Sequence, residues 1–404
     1  MSDKRFWTLR YTLINVTYFA AFCTIHACAA VYLLAHGFSN TEVGVLLAVA
    51  NVTSAISQPY VAGIIDKPGW LSNRRFILIS VFTILAGSLV LMAAAEIKAV
   101  VFVIYVLIYM IQFAYQPVMT ALCFEYQKAG CSINYGLARG LGSAAFAVTS
   151  MFVGKAIEDY GENLLPVINI AVMALSALIV FTFRKPESED GRDTDVKASP
   201  EGGQDPKTAH NNIVDFAKTY PAFSVFLIGT VCFYFAHNMI NDFMIQIIRN
   251  LGGGEAELGY ANFLQAILEL PVMAFFGLVL KKITSDKMLL FSGVAFFVKI
   301  LILIFAVDMA GMYISQSFQL FAYAVFIPAA AYYVSKTMEE LDQVKGQAYV
   351  TSAITVGGVF SNLISGVILD HFGIKPMLIT GTVVCAMGVI IAFVAMLRLP
   401  HHRS

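Results

Sequence analysis

Charged and amide side chains interrupt otherwise apolar stretches of this sequence, and at each such place chemistry is possible. Glu125 lies near the end of one apolar segment and Arg139 near the start of the next, with a short polar turn between them. A lone charge at membrane depth costs several kcal/mol, so it faces a partner or a water-filled cavity. The two could meet across the turn, as a clamp or as part of a transport path. Arg139 carries a planar fork of donors suited to sugar hydroxyls or a carboxylate; its plainer use is a salt bridge to Glu125, whose own role is read as structural. Glu269 falls about eleven residues into an apolar segment, near the depth where coupling-ion sites of transporters lie, and a carboxylate there suits a proton relay. Lys299 sits midway along the following segment. It either tunes proton binding at Glu269 or is its permanent counter-ion.

Neutral polar groups accompany these charges. His237, Asn238, Asn241, Asp242 and Gln246 cluster in one segment, and Asn238, Asn241 and Asp242 share a helical face at i, i+3, i+4. That face is expected to line a cavity or a helix interface, with Asp242 a second proton site or an outer gate. His26 lies near the middle of the first segment, as a packing residue or a cavity contact. Gln112, Gln116, Asn262, Gln265, Gln316 and Gln319 offer donors and acceptors to a polyhydroxylated or amide-bearing ligand, and Tyr18, Phe146 and Tyr323 offer faces for stacking. Each amide could instead be helix–helix glue; together they favour a polar cavity.

The elements that must position these groups are membrane spans. The 404 residues are 58% hydrophobic and 13% charged, against about 25% charged in a soluble domain, and mean hydropathy is +0.74. Spans of about 20 apolar residues cross a bilayer. Twelve are expected: 11–34, 41–65, 76–95, 99–127, 134–157, 164–183, 221–248, 258–280, 288–307, 311–335, 347–369 and 376–397. This is an all-α membrane protein. The N-terminus runs straight into an apolar stretch without a cleavage site and reads as a retained helix. Of 26 Lys and Arg residues, twenty fall in the loops on the N-terminal side of the membrane and four (Lys98, Lys155, Arg249, Lys375) on the other, so both termini are expected in the cytoplasm. Lys336 lies at a cytoplasmic helix end, as an anchor or an inner-gate pair.

Net charge is zero, which argues against a nucleic-acid partner. The six cysteines form no disulfide frame or zinc pattern. No nucleophile–base set stands out, so an enzyme is not expected, nor a cofactor or a metal. A membrane sensor would need an output domain, and no polar segment is large enough. The stretch 186–212, polar and rich in Pro and Gly, is expected to be a flexible cytoplasmic linker between two six-helix bundles, 1–185 and 213–404. The halves echo each other: Glu42-Val-Gly44 matches Glu257-Leu-Gly259 at an offset of 215, Pro117 matches Pro328 at 211, and GKAIEDYG (154–161) matches GVILDHFG (366–373) at 212. Duplicated halves of this kind mark transporters. The glycine–acid–glycine ends, including Asp370, are read as mechanical, allowing close helix approach.

Twelve spans, a central polar linker and paired halves resemble the major facilitator superfamily. The loop Ala62-Gly63-Ile-Ile-Asp66-Lys67-Pro-Gly69 followed by Arg74-Arg75 is similar to that superfamily's motif between its second and third helices, with Ala62 in place of the first glycine and the basic pair displaced. Asp66 and Lys67 are therefore gating candidates. Within the superfamily the chain resembles the oligosaccharide:proton symporter (lactose permease-like) branch. The carriers are TEVGVLLAVANVTSAISQPYVAGIIDK with Gln58-Pro59, NYGLARGLGS with Arg139, Glu269 on the eighth helix, and LLFSGVAFFVKILI, which places Lys299 at a buried arginine of the branch. The sequence departs at Ala121, Phe146, Asn238, Gln319 and Ala322, where the branch has a glutamate, a stacking tryptophan, an acid, a histidine and a glutamate. The resemblance implies a bacterial inner-membrane secondary transporter working by alternating access, with its substrate between the halves. The expected activity is proton-coupled uptake of a sugar or oligosaccharide by a monomer. Glu269, Lys299 and Asp242 would couple protons, and Arg139, His26, Gln116, Phe146, Asn238, Asn241, Gln265 and Gln319 would contact the substrate. A nucleoside symporter and a proton-driven exporter of amphipathic compounds are the alternatives.

Overall fold

A computed structural model describes residues 2–65, 70–185 and 213–398. Asp66, Lys67 and the expected linker 186–212 lie outside the described residues. Every described element is helical. The helices are α1 (Ser2–Phe22), α2 (Ala29–Ala35), α3 (Asn40–Ile65), α4 (Asn73–Ala93), α5 (Lys98–Lys128), α6 (Tyr135–Tyr160), α7 (Leu164–Thr182), α8 (Ile213–Thr219), α9 (Pro221–Asp242), α10 (Met244–Asn250), α11 (Glu255–Val279), α12 (Ser285–Phe305), α13 (Met309–Ser317), α14 (Tyr323–Thr337), α15 (Glu340–Phe372) and α16 (Ile374–Arg398).

Ten spans among the described residues are long and apolar enough to cross a membrane, α13 with α14 counting as one, and α1 with α2 makes an eleventh if that bent pair is a single span. The expected span 258–280 corresponds to α11, a helix of 25 residues. Three of the expected spans are broken rather than straight. A turn of π-helix, Cys23–Ala27, separates α1 from α2, with a bend of 48°. Phe243 interrupts α9 and α10. A short 3-10 turn, Phe318–Leu320, separates α13 from α14. Non-helical backbone at membrane depth must find partners inside the protein. It does: the Tyr105 hydroxyl donates to the Ile25 carbonyl at 2.6 Å, and the Ser292 hydroxyl to the Ala322 carbonyl at 2.8 Å.

The packing is duplicated. α1 lies against α6 and α7, α4 against α5 and α7, and α3 against α5; in the second set α9 lies against α15 and α16, α12 against α14 and α16, and α11 against α14. The two sets meet along two seams, α3 on α15 and α6 on α11, which exchange with each other under the repeat. Small residues set both seams. A Cβ on Gly44 would strike the Asn362 carbonyl and one on Gly366 the Asn40 carbonyl; on the other seam a Cβ on Gly154 would strike the Glu255 carbonyl and one on Gly259 the Ser150 carbonyl. These contacts lie toward the face bearing Lys98, Lys155, Arg249 and Lys375, labelled outer here by the basic-residue rule. Toward the opposite ends of α3 and α6, Gly63 and Gly140 face open space, so among the described residues the close backbone contacts of these two helices lie toward that one face.

Candidate functional site

The site begins with three side chains drawn from α11, α12 and the turn between α13 and α14. The Lys299 ammonium donates to Gln319 Oε1 at 2.7 Å, and Gln319 Nε2 donates to Glu269 Oε1 at 2.9 Å. Lys299 is 1% exposed and Gln319 3%. The break before α14 is what swings Gln319 into this position, and Ser315 holds the neighbouring backbone by donating to the Lys299 carbonyl at 2.7 Å. Of the two readings of Lys299, the direct counter-ion contact with Glu269 does not form; Gln319 bridges the two instead. The bridge has a single polarity: the carbonyl end of the amide faces the cation and the amino end faces the anion, so each charge is met by the dipole that stabilises it. Arg139 is near enough to Glu269 and Tyr323 for its charge to act on both.

Arg139 itself donates to the Ser143 hydroxyl at 2.8 Å, and its guanidinium lies over the Phe19 ring at 4.3 Å. A clamp between Arg139 and Glu125 does not form. Glu125 pairs instead with Lys185 and accepts from Asn73 Nδ2 at 2.9 Å. Helix geometry explains the correction, since α5 turns Glu125 toward the start of α4 and the end of α7, while α6 turns Arg139 toward α1. Glu125 therefore tethers the start of α4 to the segment that follows α7. Lys336 sits exposed at the end of α14. Asp370 reaches across the α3–α15 seam to Asn40 and Thr41.

A second polar group sits among aromatic rings. The His26 imidazole, on the π-helical turn, stacks on Phe22 at 3.7 Å and lies 3.7 Å from Tyr109, with Phe113 edge-on at 5.0 Å. Phe146 approaches Phe22 at 6.3 Å. Neither imidazole nitrogen of His26 and neither amide atom of Gln112 makes a well-formed hydrogen bond. Gln116 is half-buried one turn further along α5.

The α9 residues divide between partners. Asn241 Nδ2 lies 2.9 Å from His237 Nε2, and His237 stacks on Tyr323 at 5.4 Å. Asn238 turns to α15, where a Cβ on Gly358 would lie 2.9 Å from its Nδ2. Asp242 is half-buried at the end of α9, with Tyr109 and Asn362 beside it. Gln246 leaves the cluster to donate to Asn40 Oδ1 at 3.0 Å, and Gln265 donates to Asn262 Oδ1 at 3.1 Å. Asn362 is the residue that the sequence reading missed. It is fully buried on α15, and neither side-chain atom has a well-formed hydrogen bond. The run Ser361-Asn362…Ser365 inside an apolar stretch was a legible signal of it.

Lys299, Gln319 and Glu269 thus form one polar group between α11, α12 and the break before α14, with Arg139 near it, and further amides and aromatic rings of both sets of helices gather around His26 and His237. Among the described residues no cluster of three or more His, Cys, Asp or Glu is arranged to hold a metal.

Comparison with known proteins agrees with this architecture. The family model described as "MFS_1 like family" matches residues 7–379. No curated protein sequence matches significantly. Among solved structures, a point mutant of the nucleoside transporter NupG superposes with a TM-score of 0.80 at 13% identity, over 96% of this chain and 99% of that one. An auto-inhibited POT family peptide transporter gives 0.72 at 9% identity, covering 98% of each chain. A bacterial homologue of the human lysosomal transporter Spinster, inward-facing and unoccupied, gives 0.66 at 11%, over 98% of this chain and 97% of its own. At such identities the likeness is one of fold. The match over residues 7–379 decides the family: the chain belongs to the MFS_1-like family, as a multi-pass membrane transporter of the major facilitator type.

Proposed function

We propose that this secondary transporter couples a proton to the movement of a polar, sugar-bearing solute, with a sugar or oligosaccharide as the first reading. The observation that carries the proposal is the bridged pair Glu269–Gln319–Lys299. A fixed ion pair would hold Glu269 charged whatever occupied the cavity. Gln319 keeps the ammonium one side chain away, which leaves the carboxylate available to a proton and to a ligand. Arg139, across the cavity, supplies the forked donor for hydroxyls. In this reading the halves 1–185 and 213–404, joined by 186–212, rock about the cavity, and Asp242 serves as a second titrating group on its outer side. The protein works as a monomer in a bacterial inner membrane with both termini in the cytoplasm.

A nucleoside is the second reading, favoured by the ring-lined walls around His26 and His237. A planar base stacks on such surfaces, while its ribose uses the same amides and Arg139. Solved structures of the nucleoside transporter NupG share the fold.

The test is a pH electrode in a lightly buffered suspension of expressing cells, with mono-, di- and oligosaccharides and nucleosides added in turn. Alkalinisation with one class, lost in Glu269→Gln, supports proton symport and names the class. Solute accumulation of equal size in Glu269→Gln would overturn the assignment of Glu269 as the proton carrier.

A further inference from the structure

The two seams between the helix sets are related by the repeat, yet they are fastened differently. At the start of α3, Ser39 and Glu42 form a reciprocal capping box: Ser39 N–H donates to Glu42 Oε2 at 2.8 Å and Glu42 N–H donates to Ser39 Oγ at 3.1 Å. That box serves the backbone of Ser39 and Glu42 and leaves the N–H groups of Asn40 and Thr41 without a partner in their own helix, as at any helix start. Asp370, near the end of α15, takes both. Asn40 N–H donates to Asp370 Oδ1 at 3.0 Å and Thr41 N–H to Oδ2 at 2.7 Å, while the Asn40 side chain adds a third bond at 2.9 Å. The side-chain oxygen of Asn40 accepts from Gln246 Nε2 at 3.0 Å. A carboxylate from one helix set thus completes the first turn of a helix of the other, at its positive end.

On the second seam the same positions do something else. Glu158 is the repeat counterpart of Asp370, and α11 begins at the counterpart of α3. There Gly254 N–H donates to Glu257 Oε2 at 2.7 Å, which repeats half of the box, but Gly254 has no side chain to return the bond. Glu158 pairs with Lys155 in its own helix at 3.2 Å, as Asp159 does at 3.1 Å, and Glu255 is held by Arg249 at 2.6 Å. Among the described residues, the α6–α11 seam is closed by glycine contact and by the Ser150 hydroxyl, which donates to the Gly259 carbonyl at 3.3 Å, while its acids are engaged on their own side.

We infer that Asp370 is a one-sided latch: it locks the outer α3–α15 seam shut, and the unlatched α6–α11 seam is the one that parts first when the outer face opens. The latch is broken and remade in each cycle, because the three bonds exist only while the seam is closed. Its strength does not depend on which solute is carried or on which ion drives it. Glycine packing alone would make the seams equivalent; the difference comes from the acid and from the two helix-start N–H groups it satisfies.

Spin labels on Ala35→Cys, at the end of α2 just before α3, and Lys375→Cys, at the start of α16 just after α15, in a background whose native cysteines are replaced, report the separation of the two helix sets beside the α3–α15 seam in purified protein by distance measurement. Asp370→Asn and, as a second probe, Asp370→Ser are each expected to raise the ratio of open to closed seam by about threefold to tenfold, the range of a charged helix-start cap. Glu158→Gln is expected to leave the distribution as in the parent. Asn40→Ala, which keeps both backbone donors, is expected to fall between. A parental distribution in either folded Asp370 variant overturns the latch, and an equal shift from Glu158→Gln overturns its one-sidedness. Because the readout is a distance in unliganded protein, it stands apart from the sugar or nucleoside assignment.

Discussion

Lys299, buried, and Glu269, half-buried, are opposite charges that do not touch: the Gln319 amide stands between them, accepting from the ammonium at 2.7 Å and donating to the carboxylate at 2.9 Å. The direction of the amide ties the two charges into one unit while keeping them a side chain apart. Removing any member changes the other two, and the first two predictions follow from that.

Glu269→Gln removes the ionisable group and leaves a side chain of the same shape. Accumulation driven by a proton gradient is expected to fall by at least about tenfold, the scale of losing one charge-assisted contact, while exchange of solute down its own gradient persists. Counterflow into vesicles with and without a protonophore separates the two.

Gln319→Leu leaves the Lys299 ammonium buried beside an apolar side chain. The expected cost is about 1–3 kcal/mol, the penalty for an unsatisfied buried donor, read as a lower thermal midpoint in detergent. Lys299→Met combined with Gln319→Leu is expected to recover part of that loss, since both polar partners are then gone. A double variant less stable than Gln319→Leu alone would contradict the bridge.

Arg139→Lys keeps a cation beside Phe19 but replaces the fork by a single ammonium. For a hydroxyl-bearing solute the expected result is a KM raised about tenfold with little change in maximal rate, the signature of lost uniform binding. Uptake kinetics across a concentration series check it.

Gly44→Val and Gly259→Val place side-chain atoms where the Asn362 and Ser150 carbonyls lie. Both are expected to hold the outer face open and abolish net transport, with raised labelling from outside by a membrane-impermeant reagent. Gly140→Ala, which meets open space, is expected to transport normally.

Glu125→Gln breaks a pair that is partly exposed on both sides, Glu125 at 29% and Lys185 at 46%. Solvent screens such pairs, so the expected cost is about 0–1 kcal/mol, with uptake unchanged. A transport defect would return Glu125 to the cavity.

The sequence determined what local composition and spacing can determine. Apolar length and the asymmetry of Lys and Arg placed the helices and offered a topology. Matched fragments at offsets of 211 to 215 announced paired halves, and the helix packing repeats as those offsets imply. Buried charge was legible because it is costly, which singled out Glu269, Lys299 and Arg139. What the sequence left open was partnership. Glu125 and Arg139 are close in the chain and looked paired, but α5 and α6 rotate them to different neighbours. Gln319 looked like one amide among many until the break between α13 and α14 carried it between two charges. Asp370 and Glu158 hold equivalent places in the repeat, and only packing gives one of them the start of another helix to bind. Helical periodicity fixes which side of its own helix a residue occupies; which other helix stands there is decided by the tertiary structure alone.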